Sequence, residues 1–487
     1  MSDNKNHGDP NKRLMHTRPM FGRRKIYTAE ETVTVENIAD ILRDAFVTHE
    51  FNRSEIDYLY RYRKGDQPIL YRVKEVRPEI CNRIVENLAD QIVNFKTGYV
   101  FGQPILYTCK TEESKQAVLT LNDFVNSEGK HEQDNELGEW MIICGLGYRI
   151  TLPNDEESEL EAEEEGAPFE TTVSDPRNTF IIYRQRDDKP LLGVKYYTDF
   201  KTGTKHISAY TRDTYFLLSD DTVEEVRPHY MGAIPIVEYP LNNARLGAFE
   251  TALPLLDAIN TLDSNTLDGV EQNIQAFLKF INCNVDAEQM KKIRELGAIL
   301  IKSIDGLNAD VGSVTTNVDQ SQTHILKKDL LDAVILICAM PNRNGGSSTS
   351  DTGAAVILRD GWSDAEAWAR SVESQFKKAE KKTLALMKRI CEFTGKLKFM
   401  VKNIEIVPTR RNYENIQTKS QVLISMLAQS RIHPRLAFEY CNMFPDPDSA
   451  YEESEKYYQS ELEKWEPKEV VEDEAEGTVS GTNEIQN

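Results

Sequence analysis

Residues 249–277 read FETALPLLDAINTLDSNTLDGVEQNIQAF, and this stretch decides the architecture. Its apolar residues fall at Leu255, Ile259, Leu262, Leu267, Val270, Ile274 and Phe277, a mean spacing near 3.7. That period predicts one long helix of roughly 40 Å at ~1.5 Å per residue. A mixed insert follows over 278–318, with a helix expected at 286–296 and a strand at Ala298-Ile-Leu-Ile-Lys. A second long helix is expected over 320–340, carrying Ile325, Leu326, Leu330, Val334 and Ile337. Pro341-Asn-Arg-Asn-Gly-Gly-Ser-Ser-Thr-Ser-Asp351 then breaks the pattern. A third helix is expected over about 353–393, with Trp368, Val372, Phe376, Ala379, Met387 and Ile390 on one stripe.

Upstream, residues 1–25 are polar and basic and read as a flexible arm. Amphipathic helices are expected at Val35–Phe46, Asn82–Val93 and Leu137–Ile143. Tyr58 to Gly65 ends the first region with a glycine stop. Gly98-Tyr-Val-Phe-Gly-Gln-Pro-Ile reads as a turn leading into a short strand. From Thr151 to Tyr239 the period falls to two. Phe180-Ile-Ile-Tyr, Leu192-Gly-Val-Lys-Tyr-Tyr, His206-Ile-Ser-Ala-Tyr and Thr214-Tyr-Phe-Leu-Leu predict consecutive antiparallel strands. Downstream, a strand at 402–407 precedes helices at 416–430 and 434–442 and a charged helix ending near Trp465. The last 20 residues read as disordered.

The 487 residues are 40% hydrophobic and 28% charged, so a sizeable core is affordable and wholesale disorder is excluded. The net charge of −21 argues against a tight nucleic-acid binder, which neutralises phosphates with surplus Lys and Arg. The acidity is concentrated. Asp155–Glu165 holds eight acids and no base, and Glu452–Asn487 holds twelve acids and three bases. The first 29 residues carry seven bases against two acids. Seven scattered cysteines without a CxxC pair read as reduced thiols rather than a disulfide framework or zinc site. The longest apolar run, Ala333–Met340, is eight residues, and a span needs about 18. No apolar signal core follows Met1, so a cytoplasm-like compartment is expected.

Catalytic motifs are wanting. Gly395-Lys396 lacks the upstream glycine and the Ser/Thr of a P-loop, and no GxGxxG opens a helix. His49-Glu50 and His131-Glu132 lack the second histidine of HExxH. Gly346-Ser-Ser-Thr-Ser has no closing glycine for a nucleophile elbow. Asp187-Asp188 and Asp220-Asp221 fit turns better than catalysis. Pro445-Asp-Pro-Asp448 has no downstream ExK to make a nuclease centre. Neither a cofactor nor a metal site is expected.

Five stretches, in order, carry a resemblance. They are Asn82-Arg-Ile-Val-Glu-Asn-Leu-Ala-Asp-Gln-Ile-Val with Gly98-Tyr-Val-Phe-Gly-Gln-Pro-Ile; Gly232-Ala-Ile-Pro-Ile-Val-Glu-Tyr-Pro-Leu-Asn-Asn243 with Phe249-Glu; Leu256-Asp-Ala-Ile-Asn260 leading to Asp263-Ser; Thr352-Gly-Ala-Ala; and Leu427-Ala-Gln-Ser-Arg-Ile-His-Pro before the Asp446-Pro-Asp turn. Over roughly 35–465 the chain resembles the portal, or head-to-tail connector, proteins of tailed double-stranded DNA bacteriophages, siphophage type.

The resemblance implies an α+β portal fold and a ring, commonly of twelve subunits, at the capsid vertex. It implies a wing over 26–246 completed by 352–415, stem helices at 247–277 and 320–341, and a clip at 278–319. It further implies a channel loop at 342–351, a crown at 416–466 and an acidic tail at 467–487. Double-stranded DNA passes through such a ring. The implied partners are the large terminase subunit, a head-completion adaptor, and the major capsid and scaffolding proteins. The implied location is the virion, after assembly in the bacterial cytoplasm, with no membrane and no enzymatic activity.

On that basis Asn342, Arg343, Asn344, Gly345, Gly346, Ser347, Ser348, Thr349 and Ser350 form a DNA-contacting loop. Glycine and serine give mobility, and one arginine gives one phosphate contact. Lys327 and Lys328 fall off the apolar stripe and are expected to face solvent, either in the channel or outside the ring. Lys291, Lys292 and Arg294 suit either docking to an acidic partner or a plain exposed helix. DNA carries one charge per ~1.7 Å, so a net-acidic ring with isolated bases lets the duplex slide. The competing classes are a nucleic-acid-processing phage enzyme such as a nuclease, and another capsid or minor head protein.

Overall fold

The computed structural model describes residues 22–75, 77–109, 112–154, 166–274, 277–281, 310–314, 320–342, 361–409, 416–441, 443–444 and 447–465. The chain divides into two units, residues 1–411 and 412–487.

The first unit mixes helices and sheets. Strand β1 (Ile26–Thr28) leads to helix α1 (Ile38–Arg63), which is 26 residues long and more than twice the expected length. Its second half was masked from the periodicity by polar residues that are buried for local reasons. Asn52 hydrogen-bonds the backbone of Arg24 in both directions. Glu55 pairs with Arg23 at 3.2 Å, and Arg23 also meets Glu250 at 2.5 Å. The chain turns away at Gly65, whose φ of +92° suits glycine.

Helix α2 (Leu88–Val100) begins six residues later than expected and runs through Gly98. The turn therefore falls at 101–103, before strand β2 (Ile105–Cys109). Helix α3 (Lys115–Ser127) was not expected at all. Helix α4 (Lys130–Cys144) is longer than its apolar part and ends at Gly145, with φ +84°. A Cβ there would lie 2.2 Å from the Arg245 carbonyl oxygen, so the close approach itself requires glycine.

The period-two region forms two sheets. Strands β5 (Thr179–Arg184), β6 (Pro190–Thr198), β7 (Lys205–Tyr210), β8 (Thr214–Ser219) and β9 (Thr222–Pro228) make an antiparallel meander, with β1 added in parallel beside β5. Strands β3 (Leu146–Pro153), β4 (Phe169–Ser174) and β10 (Ile236–Pro240) form a separate sheet in the order β10-β3-β4. The amino-terminal half of α1 covers the meander through Ile38, Ile41 and Leu42, against Phe180, Leu192 and Val194. Its carboxy-terminal half joins the larger core through Ile56, Leu59 and Tyr62.

Helix α5 (Leu253–Ile274) and helix α6 (Gln320–Ile337) follow, and between them strands β11 (Phe277–Ile281) and β12 (Asp310–Val314) pair antiparallel. The expected helix to Phe277 is thus about 33 Å at ~1.5 Å per residue, and Phe277 belongs to the ribbon. The helix at 286–296, the strand at 298–302 and residues 353–360 of the third helix lie outside the described residues. Helix α7 (Trp362–Thr394) packs across β10 and β3. Strand β13 (Ile404–Pro408) returns to pair with β2.

The second unit is a helical cluster of α8 (Ile416–Leu427), α9 (Pro434–Cys441) and α10 (Pro447–Trp465) around Leu423, Ala437, Phe438 and Cys441. The described cysteines are free thiols, with Cys144, Cys338, Cys391 and Cys441 buried and Cys81 and Cys109 half-buried. No helix among the described residues is long and apolar enough to cross a membrane.

His49 ties α1 to the meander. Its ring stacks 4.3 Å from Phe180, and Nε2 lies 3.1 Å from both the Arg177 carbonyl and the Tyr196 hydroxyl. Burial pushes its pKa down from 6.5 to about 4. The folded chain keeps His49 neutral where the unfolded chain takes up a proton. Stability should therefore fall as pH drops from about 6.5 to about 4, by ~1.4 kcal/mol per pH unit. Urea midpoints against pH should show this slope reduced in His49→Gln; an unchanged slope refutes the assignment.

Candidate functional site

Helices α5 and α6 form an antiparallel hairpin. Leu253, Leu256 and Ile259 at its base share the main core with Val334 and Cys338. Towards the ribbon, the apolar residues that signalled these helices turn outward: Leu267, Val270, Ile325 and Leu326 are all exposed. Leu336 and Ile337, near the base, are exposed as well.

The buried line of α5 is polar instead. Asn260, Ser264 and Asp268 are at most 3% exposed and lie at four-residue spacing. Against them runs the strap formed by residues 82–87, which is extended where a helix was expected. The Glu86 amide donates to Asn260 Oδ1 at 2.8 Å, the Ile84 amide to Ser264 Oγ at 3.0 Å, and the Asn82 amide to Asp268 Oδ1 at 2.7 Å. Four helical residues rise about 6 Å, and two extended residues advance about 6.6 Å. The two repeats match, so side chains of a helix replace the neighbouring strand that an extended backbone normally needs.

The ends of this ladder are secured. Asn260 Nδ2 donates to Gln67 Oε1 at 2.5 Å, and Gln67 Nε2 donates to Asn87 Oδ1 at 3.0 Å. Asp268 also receives Lys74 Nζ at 2.9 Å and lies 3.4 Å from Arg72. Burial works against its charge, but the Asn82 amide and Lys74 hold its carboxyl below the usual value. One turn before Asn260, Asp257 accepts from Tyr62 Oη at 2.9 Å, and burial raises its pKa to about 6.

The strap also reaches α6. Lys327 Nζ sits 2.9 Å from both Glu86 and Asp263. Desolvation opposes its charge, and the two acids more than restore it, raising the pKa. Lys327 was expected to face solvent; it is 31% exposed and its charge is matched, because Glu86 arrives from the strap. Lys328 is exposed. Asn342, the first residue of the expected channel loop, is described and half-buried. Arg343, Asn344, Gly345, Gly346, Ser347, Ser348, Thr349 and Ser350 lie outside the described residues, as do Lys291, Lys292 and Arg294. Among the described residues no group of three or more His, Cys, Asp or Glu side chains is placed to hold a metal.

The ladder joins two of the stretches quoted above, 82–87 and 256–264. Its sequence signal was three polar residues at four-residue spacing inside an apolar helix. The sequence profile of the family described as "Phage portal protein, SPP1 Gp6-like" matches residues 45–469. The chain belongs to this portal family. Membership makes it a phage structural protein with a portal, or head-tail connector, role and a place in the virion. Two solved structures are similar. The first, described as "Neck of empty GTA particle computed with C6 symmetry", is 14% identical, with TM-score 0.47, over 74% of this chain and 90% of that one. The second, "Virion of native gene transfer agent (GTA) particle", is 12% identical, with TM-score 0.47, over 80% of this chain and 94% of that one. No curated protein matches the sequence.

Proposed function

We propose that this portal-family chain assembles into a ring, commonly of twelve copies, that conducts double-stranded DNA during packaging and ejection. The carrying observation is the α5–α6 hairpin. Its inner face is fastened by a polar brace, while Leu267, Val270, Ile325, Leu326 and Leu336 stand exposed. Apolar side chains aligned on a projecting hairpin favour burial against neighbouring copies.

In this reading α5 and α6 are the stem, and 278–319 is the clip that meets the large terminase subunit and later the head-completion adaptor. Lys291, Lys292 and Arg294 would serve that docking. Residues 26–246 and 352–415 form the wing, and 416–466 the crown, facing the capsid and scaffolding proteins. Assembly takes place in the bacterial cytoplasm. The protein carries no catalysis of its own; ATP hydrolysis belongs to the terminase.

With Lys327 neutralised by Glu86 and Asp263, Lys328 is the base of this pair left to face the channel. Residues 342–351 form the channel loop, with Arg343 as its single charge. An acidic ring repels DNA over about 8 Å at physiological salt, which keeps sliding free of deep traps. Replacing 342–351 by a shorter linker should leave assembly intact and reduce packaged or retained DNA per particle. Full DNA content in that variant would overturn the loop assignment.

A further inference from the structure

Strand β6 has two unlike ends. At its start, Pro190 stands on the lip of a cleft of about 800 Å³ between the meander, β10 and α7. The floor of the cleft is apolar, with Ile181, Ile234, Ile236 and Leu386. Its rim is basic. Lys25 and Arg245 are matched by Asp188 and Glu238, the two acids of the cleft. Lys378 and Lys382 on α7 make no hydrogen bond or ion pair among the described residues. Two like charges one helical turn apart repel each other, and both nearby acids are already engaged.

At its other end β6 runs into the turn 199–204, where Phe200 is fully exposed. The turn is complete without that ring. Asp199 Oδ1 accepts the Lys201 amide at 2.8 Å, the Gly203 amide donates to the Asp199 carbonyl at 2.9 Å, and Gly203 takes the positive φ of +74°. Tyr197, three residues before Phe200, is exposed as well. Beside this turn lie Asp220 and Asp221, between β8 and β9. Lys205 joins the two turns: its amide donates to Asp220 Oδ1 at 2.9 Å, and its carbonyl accepts the Asp220 amide at 2.7 Å. The two turns hold three acids, Asp199, Asp220 and Asp221, and one base, Lys201.

The tip therefore offers what the cleft lacks, an aromatic ring for the apolar floor and carboxylates for Lys378 and Lys382. One chain cannot bring the two together. The nine residues of β6 hold its ends about 27 Å apart at ~3.4 Å per residue. Complementary patches at opposite ends of one strand suit a head-to-tail contact between copies, the kind that closes into rings.

We propose that the 199–204 turn of one copy seats in the cleft of the next, with Phe200 on the apolar floor and Asp220 and Asp221 facing Lys378 and Lys382. The contact rests on the ring reading above and names the surfaces that neighbouring copies share.

The test uses the full chain with photoreactive benzoylphenylalanine in place of Phe200, and mass photometry on the same sample. Irradiation should give a ladder of whole multiples of the chain on a denaturing gel, with position 200 joined to peptides holding Ile234, Ile236 or Leu386. Lys378→Glu combined with Lys382→Glu should suppress the ladder at least tenfold. Links that avoid the cleft, a product of single-chain size, or no link at all would overturn the contact, whether or not rings form. Links to the cleft in a sample without rings would keep the contact and remove the ring.

Discussion

Glu380→Gln is expected to destabilise the first unit by about 3–5 kcal/mol, because it breaks a buried charge network from its centre. Glu380 is fully buried in α7 and accepts from Tyr239 Oη at 2.6 Å and from Tyr107. Lys130 lies 3.1 Å away and Arg149 3.3 Å away. Asp134 completes the set, 2.5 Å from Lys130 and 2.6 Å from Arg149. Two cations and two anions balance. Removing one anion leaves a positive charge in the core and turns an amide NH₂ towards four donors. Against a total stability of about 5–15 kcal/mol, that loss should move the urea midpoint far down.

The acid dependence follows with its sign. Burial opposes the charge on Glu380, but Lys130 and Arg149 overcome it and hold the pKa at about 2. The contribution is therefore present above the ordinary carboxylate range and lost as pH falls towards 2. Glu380→Gln should lack this acid limb. A variant with the native midpoint would show that the network contributes nothing to stability.

Asn260→Leu should produce the second large effect, and a local one. The substitution keeps the number and branching of side-chain heavy atoms and leaves the Glu86 amide and the Gln67 side-chain oxygen without partners. Each orphaned group costs about 1–3 kcal/mol, so a loss of about 2–6 kcal/mol is expected for the two. Hydrogen exchange should locate it. The amides of Ile84 and Glu86 should lose protection together, since both donate to side chains of α5, while β5–β8 stay protected. Unchanged exchange at both amides would mean that the strap does not depend on the ladder.

These two sites also show what the sequence could and could not disclose. The strands β5 to β8 are short apolar or alternating runs, and each pairs with its neighbour, so local pattern sufficed. Helix α6 was legible because Val334 and its neighbours keep helical spacing to the end. The strap was misread because Ile84, Leu88 and Ile92 do fall at four-residue spacing. What holds 82–87 extended is a set of acceptors 174 to 186 residues away, which no local window contains. Arg149 is a similar case. It sits inside a strand whose neighbours are apolar, and its warrant is Glu380, 231 residues downstream. On the hairpin, periodicity found the helices and, at the base, the buried Ile259 and Val334, but not the buried face towards the ribbon. Leu267 and Val270 are exposed, and Ser264 and Asp268 are not. The channel loop and the clip bases were read from resemblance, and they stand as proposals.

The central claim is that this hairpin lines a ring. Negative-stain electron microscopy of the purified full chain, with mass photometry on the same sample, tests it most directly. Closed rings with a central hole and a mass near that of about twelve chains are the predicted result. Compact dimers or tetramers without a hole would contradict it.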